Sequence, residues 1–143
     1  MSKLPTAYVY DSVKTRKYYN DVNSNFSFSV VDEKVVYKYL NSLNTSKAIG
    51  HDGISARFLK DGADIIATPI TYIINLSLRL SQVPDDFKIA KVVPLYKKGD
   101  KNSEGNYRPV SILPVISKIF ERVVHQQLSD YLTENSILYQ NQS

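Results

Sequence analysis

The sequence predicts an α+β fold, mostly helical, with one long-looped antiparallel β-hairpin. Two observations carry that reading. Apolar residues recur with a helical period in several stretches, most clearly at Ile116, Ile119, Phe120, Val123, Val124, Leu128, Tyr131 and Leu132. Ahead of that last stretch, two runs dense in β-formers, residues 90–96 and 107–113, flank a polar loop. With 143 residues, 43% of them apolar, the chain has enough material for one core.

Taken in order, residues 1–25 are polar and tyrosine-bearing without a sustained period, and read as a leader or linker ahead of one domain at 26–143. Phe26 and Phe28 alternate with serines as in a short strand. Ser29 or Asp32 then caps a helix over 32–43 that carries Val35, Val36, Tyr39, Leu40 and Leu43 on one face. Residues 44–53 are rich in turn formers, and Gly50 and Gly53 offer positive φ to a tight loop. Ser55 caps a short helix through Phe58 and Leu59, which Gly62 ends. Asp64 caps a longer helix with Ile66, Ile70, Ile73, Ile74 and Leu78 facing inward, where Pro69 is tolerated only near the first turn. A single turn at 85–88 leads into the first β run, and Pro114 starts the final helix.

Composition removes several classes of chemistry. Cysteine is absent, so there is neither a disulfide framework nor a thiolate metal site, and two widely separated histidines make no zinc cluster. A catalytic metal would need oxygen ligands. No apolar run approaches the roughly 20 residues that span a bilayer, and residues 1–10 lack a secretory pattern, so a soluble, intracellular protein without a membrane partner is expected. The net charge of +4 is concentrated: residues 88–108 hold Lys88, Lys91, Lys97, Lys98, Lys101 and Arg108 against Asp100 and Glu104, leaving twelve charges of each sign elsewhere. Such a segment is either a solvated charged loop or an attractor of phosphates, on a nucleic-acid backbone or a nucleoside triphosphate.

Three ordered blocks sharpen this. The first runs from Lys47 through Ala48, Gly50, His51, Asp52, Gly53 and Ile54 to Phe58, Leu59 and Lys60. The second holds Val83, Pro84, Phe87, Lys88, Ala90, Pro94, Lys97, Lys98, Gly99 and Asp100. The third holds Asn106, Tyr107, Arg108, Pro109, Ser111, Leu113, Pro114, Ser117, Lys118, Phe120 and Glu121. Over about residues 26–142 the sequence resembles reverse transcriptases of non-LTR (LINE-type) retrotransposons: the extra motif ahead of the fingers, then the first two finger motifs.

That resemblance implies a role for each block. The hairpin would be the fingers, with Arg108 on the returning strand contacting the dNTP phosphates and Lys97 or Lys98 as the matching lysine on the outgoing strand. Strand neighbours point to opposite faces, so sequence leaves the two lysines open. Lys47, Gly50 and His51, with Lys91 and Lys101, would lie along nucleic acid. His51 has no second histidine or nucleophile near it in sequence to suggest acid-base work. The family's catalytic aspartates belong to a palm whose motifs are absent from this sequence, so no catalytic residue is expected and no cofactor bound by this fragment, with Mg²⁺ implied for the complete enzyme. Expected partners are an RNA template, a DNA primer, a dNTP, and the palm and thumb of a parent polymerase, acting at nuclear DNA. Three other readings stand beside this one: a non-catalytic RNA-binding module, a structural helical interaction domain, and a remnant without function.

Overall fold

The computed structural model describes residues 25–137. The expected leader therefore lies almost wholly outside the described residues. These divide into two units, Phe28–Gln127 and a second to which residues 25–27 and 128–137 belong. Among the described residues four α-helices and a hairpin follow one another as α1 (Glu33–Asn41), α2 (Ala56–Asp61), α3 (Ala63–Leu80), β1 (Lys91–Tyr96), β2 (Tyr107–Ile112) and α4 (Val115–Glu134). Single 3₁₀ turns stand at Asp85–Lys88 and Glu104–Asn106. The α+β class is as the sequence predicts.

Helix α1 starts where Asp32 caps it, its carboxylate accepting from the Lys34 N–H at 2.7 Å. Val36 and Leu40 go to the core, and so does Leu43 just past the helix end, whereas Val35 stays exposed. The Ser55 hydroxyl accepts from the Phe58 N–H at 3.1 Å and so caps α2. Of the two apolar residues expected there, only Leu59 is buried, and Phe58 is 68% exposed.

Gly62 is the whole joint between α2 and α3. Its N–H donates to the Phe58 carbonyl at 3.0 Å, and its own carbonyl accepts from the Ile65 and Ile66 N–H groups. Asp64 consequently sits inside the first turn of α3 rather than capping it; its charge there still suits the positive end of the helix. The buried stripe of α3 is Ala63, Ala67, Ile70, Ile74 and Ser77, spaced by three and four, with Thr71 beside it. Ile73 is one position off that stripe and remains 40% exposed, contrary to its expected inward place. Pro69 lies well inside the helix, not near its first turn. It deprives the Ile65 carbonyl of its helical donor, at a residue that is 81% exposed.

Val115, Ile119, Phe120 and Val123 of α4 close the core over α1 and α3, with Leu40, Ile74, Ile119 and Val36 fully enclosed. The buried stripe stops at Val123, and Leu128 is exposed. In the second unit Phe26 and Tyr131 meet with ring centroids 5.2 Å apart. Among the described residues no helix is long and apolar enough to cross a membrane.

The predicted strand at Phe26 and Phe28 does not form. Just downstream, the backbone groups of Ser29 and Val31 bond to side chains instead. Asn75 of α3 accepts from the Val31 N–H at 2.8 Å and donates back to the Val31 carbonyl at 3.0 Å. Gln127 of α4 does the same for Ser29, at 2.8 and 3.1 Å. Each carboxamide presents one acceptor and one donor in the spacing a neighbouring strand would offer, so the segment is hydrogen-bonded without a sheet.

Val31 is buried and Ser29 is exposed, so the two amides should differ in worth. Asn75→Ala is expected to destabilise by about 1–3 kcal/mol, leaving Val31 backbone groups without a partner, and Gln127→Ala by less than about 1 kcal/mol because water replaces it. Urea unfolding of the two variants checks this; an equal or reversed order would show that the Val31 clamp is not the anchor.

Candidate nucleic-acid interface

The hairpin pairs Lys91 with Ile112, Val93 with Val110, Leu95 with Arg108 and, between these, Val92 with Ser111, Pro94 with Pro109 and Tyr96 with Tyr107. One further backbone bond, from the Lys97 N–H to the Asn106 carbonyl at 2.8 Å, carries the ladder past the last paired residues. It sets the phase: odd-numbered residues of β1 sit in hydrogen-bonded pairs and even-numbered residues in the closer, non-bonded pairs. Pro94 and Pro109 therefore face each other where neither needs a donor. Tyr96 and Tyr107, also a close pair, meet edge to face at 5.6 Å.

Strand alternation then sorts the cations. Lys91, Val93, Leu95 and Lys97 share a face with Arg108, Val110 and Ile112, while Tyr96 and Tyr107 lie on the other. Lys97 is the diagonal neighbour of Arg108, and Lys98 follows outside the ladder in the loop. Lys101 goes with the tyrosines, its Nζ 5.7 Å from the Tyr96 ring centroid. Lys91 is on the Arg108 face but at the base of the hairpin, six residues and about 20 Å of strand from Lys97. The structure thus brings Arg108 and Lys97 together and separates Lys101 from them.

The loop between the strands is shaped by its own bonds. The Asn106 amide donates to the Asp100 carbonyl at 2.7 Å, and the Tyr107 hydroxyl to the Lys101 carbonyl at 2.9 Å. The Tyr96 hydroxyl donates to the Gly99 carbonyl, and Asp100 accepts from the Asn102 N–H at 2.9 Å. Gly99 has φ +95°, and a Cβ on it would lie 2.8 Å from Asn106 Nδ2, so only glycine fits. Tyr96, Asn106 and Tyr107 thus shape the loop that carries the cations, a part the motifs alone do not assign to them. The signal was present in two aromatics at the matching ends of two β runs.

At the other end of the hairpin lies the loop that holds Lys47, Gly50 and His51. Gly50 does not take positive φ; Gly53 does, at +72°. Gly50 is instead a point of close approach, where a Cβ would sit 3.0 Å from the nitrogen of Pro114 and 3.1 Å from its Cα. The loop is thereby pressed against the joint between β2 and α4, at the end of the hairpin where Lys91 begins β1. Lys47 and His51 are both exposed there.

None of Lys91, Lys97, Lys98, Lys101 and Arg108 forms an ion pair with a described residue, and all are exposed. Lys88 differs. Its ammonium bonds Asp85 at 2.8 Å, and that hydrogen bond, with the charge behind it, holds the Asp85 carboxyl below its usual range. A scaffold that buried Arg108, Lys97 and Lys98 in ion pairs would have favoured a purely structural domain; the hairpin does the opposite. Among the described residues no group of three or more His, Asp or Glu side chains converges as a metal site would require.

No protein-family model matches the chain. Among curated proteins it is 31% identical over 108 residues, 75% of its length, to the probable RNA-directed DNA polymerase from transposon BS of Drosophila melanogaster. It is 32% identical over 100 residues to the probable RNA-directed DNA polymerase from transposon X-element, and 29% identical over 101 residues to the RNA-directed DNA polymerase from mobile element jockey, both of the same fly. The match covers 69% and 70% of this chain. It spans only 12%, 11% and 11% of the three relatives' own lengths.

The loop geometry has a direct test. Gly99→Ala forces an L-residue into left-handed backbone at a cost of about 1–2 kcal/mol and crowds Asn106, so the Lys97 amide should exchange with solvent about tenfold faster. Gly105→Ala, where the space is open, should leave that amide unchanged. Equal exchange in both variants would show that Asn106 does not hold the loop.

Proposed function

We propose that this chain, homologous as it is to the RNA-directed DNA polymerases of non-LTR retrotransposons, supplies the part of such an enzyme that grips the triphosphate of an incoming dNTP and guides the template. The observation that carries the reading is the shared face of Arg108 and Lys97. A triphosphate presents several anionic oxygens within a few ångströms. Recognising it takes cations that are close together, unpaired with protein carboxylates and mounted on a frame that does not give way.

Arg108 meets those requirements on a hydrogen-bonded pair of the ladder, and its planar fork bonds two phosphate oxygens at once. Lys97, diagonal to it, adds a movable point charge. Lys98 follows outside the ladder and screens charge from a distance. At the base of the hairpin, Lys91 with Lys47, Gly50 and His51 forms a second, sparser basic stretch suited to a template backbone. Lys101, on the tyrosine face, serves nucleic acid rather than the triphosphate.

Phosphoryl transfer in a complete polymerase relies on two Mg²⁺ ions that carboxylates hold. The described residues do not fit that group, and no chemical step is assigned to them. The reading is of a binding half, with the RNA template, DNA primer and dNTP as ligands and the remaining palm and thumb as partners.

Two measurements test it. Calorimetric titration of the chain with a dNTP should give affinity that falls about tenfold or more in Arg108→Ala, consistent with about 1.5–3 kcal/mol for hydrogen bonds to a charged group. Arg108→Lys should fall between the two, and Lys97→Ala should lose more than Lys98→Ala. A larger loss in Lys98→Ala, or none in Arg108→Ala, sinks the shared-face grip. Separately, the 143-residue chain with Mg²⁺, dNTPs and a primed RNA template should extend no primer; any product would mean that it holds catalytic groups of its own.

A further inference from the structure

A second set of cations lies on the helices. The buried stripe of α4 at Val115, Ile119 and Val123 turns Lys118, Glu121, Arg122 and His125 outward, spaced by three and four along one face. That face and the end of α1, with Lys38, Tyr39 and Ser42, line one cleft. The Arg122 guanidinium is anchored there. Its Nη1 donates to the Ser42 hydroxyl at 3.2 Å, and its carbon lies 6.0 Å from the Tyr39 ring centroid. The Ser42 hydroxyl in turn donates to the Tyr39 carbonyl at 2.8 Å. Glu121 is the one carboxylate in the lining, and it forms no ion pair with Lys38, Lys118 or Arg122.

We propose that this cleft binds the sugar-phosphate backbone of single-stranded RNA, as a surface separate from the hairpin. The inference rests on the reading of the chain as an RNA-handling part of a polymerase. Three permanent cations with no carboxylate of a described residue bound to them are held at a solvent boundary, an arrangement that costs repulsion unless an anion relieves it. They do not converge on one point. Lys118 to His125 covers about 10 Å of helix, which suits successive phosphates rather than a single one. Arg122 keeps donors beyond the one given to Ser42, and its place beside a half-buried tyrosine matches the pairing of cation and aromatic ring that single-stranded nucleic acid exploits. An acidic peptide would satisfy the same charge, and the test below separates the two.

The test uses the whole chain and a fluorescent single-stranded uridine oligonucleotide, with affinity followed by anisotropy across a salt series. Removing a cation that contacts phosphate lowers the slope of log affinity against log salt by about 0.7 for single strands. Lys38→Ala combined with Lys118→Ala should therefore flatten the slope by about 1.4, and Arg122→Gln should flatten it further while Arg122→Lys restores most of that loss. Neither lysine bonds another described residue, so the double variant keeps the test valid should Arg122→Gln unfold. The hairpin variant Lys97→Ala with Arg108→Ala is measured in parallel. A slope lowered by the hairpin variant and untouched by the cleft variants overturns the cleft and leaves the hairpin reading standing. A slope that no variant alters overturns both. Displacement of the oligonucleotide by polyglutamate of equal charge as efficiently as by unlabelled RNA would assign the cleft to acidic protein and overturn the proposal.

Discussion

The phase of the hairpin is the constraint on which the candidate interface depends. A single backbone bond, Lys97 N–H to the Asn106 carbonyl, and a single facing pair, Pro94 with Pro109, fix it from two directions. A slip of one residue would carry Pro94 or Pro109 into a bonded position that it cannot serve, and would turn Arg108 onto the tyrosine face. The same prolines act outward as well. With no N–H to offer at either edge, they blunt a two-stranded sheet whose Val92, Leu95 and Val110 are exposed and whose edges would otherwise invite another strand. Cation placement and the blunting of the hairpin's edges thus follow from one register.

That register means little unless the hairpin is held to the helices, and the hold is at its base. On the entry side, the Phe87 ring lies 6.1 Å from that of Phe120, and the Ser117 hydroxyl donates to the Phe87 carbonyl at 3.0 Å. On the exit side, Gly50 lets the upstream loop close against Pro114. Both sides converge on the first turns of α4, the helix that also completes the core through Ile119. The ring contact adds about 0.5–1.5 kcal/mol beyond its buried area, and the hydroxyl satisfies a carbonyl that would otherwise lie half buried without a partner. The far end, with Lys97 and Arg108, is left to its own loop bonds. This is a stiff root with an accessible tip.

Much of this was legible in sequence, and the failures have a common cause. Ser55 as a cap, Asp32 as one of two candidate caps beside Ser29, the turn at Asp85–Lys88, and both strands to within one residue at their ends follow from local chemistry, which short-range pattern reads well. No strand forms at Phe26 and Phe28, and the segment just beyond them is bonded by Asn75 and Gln127, 44 and 98 residues away from Val31 and Ser29. Gly50 was read for a dihedral angle when its reason is the distant backbone of Pro114. Ile73 and Leu128 were credited to inward faces because apolar spacing cannot say where a stripe ends when several apolar residues adjoin. For the site, Arg108 and its two lysines were visible as a motif, but their division between faces needed the register.

Charge was harder to read than packing, and the two cation sets show why. Along a strand and its loop, neighbours in sequence are neighbours in space, so a tally of six cations against two carboxylates over residues 88–108 found the hairpin directly. On a helix, neighbours in space are three and four apart. Lys118 and Arg122 are separated by Glu121 in the chain, and Lys38 lies some eighty residues away, so a running count outside the hairpin gives twelve of each sign and registers nothing. The same residues counted by helical face give three permanent cations and one carboxylate around a single cleft. Net neutrality over a stretch of helix therefore says nothing about the potential at its surface. What decides it is whether opposite charges fall on the same face, and in α4 the geometry that buries Ile119 is also what aligns Lys118 with Arg122.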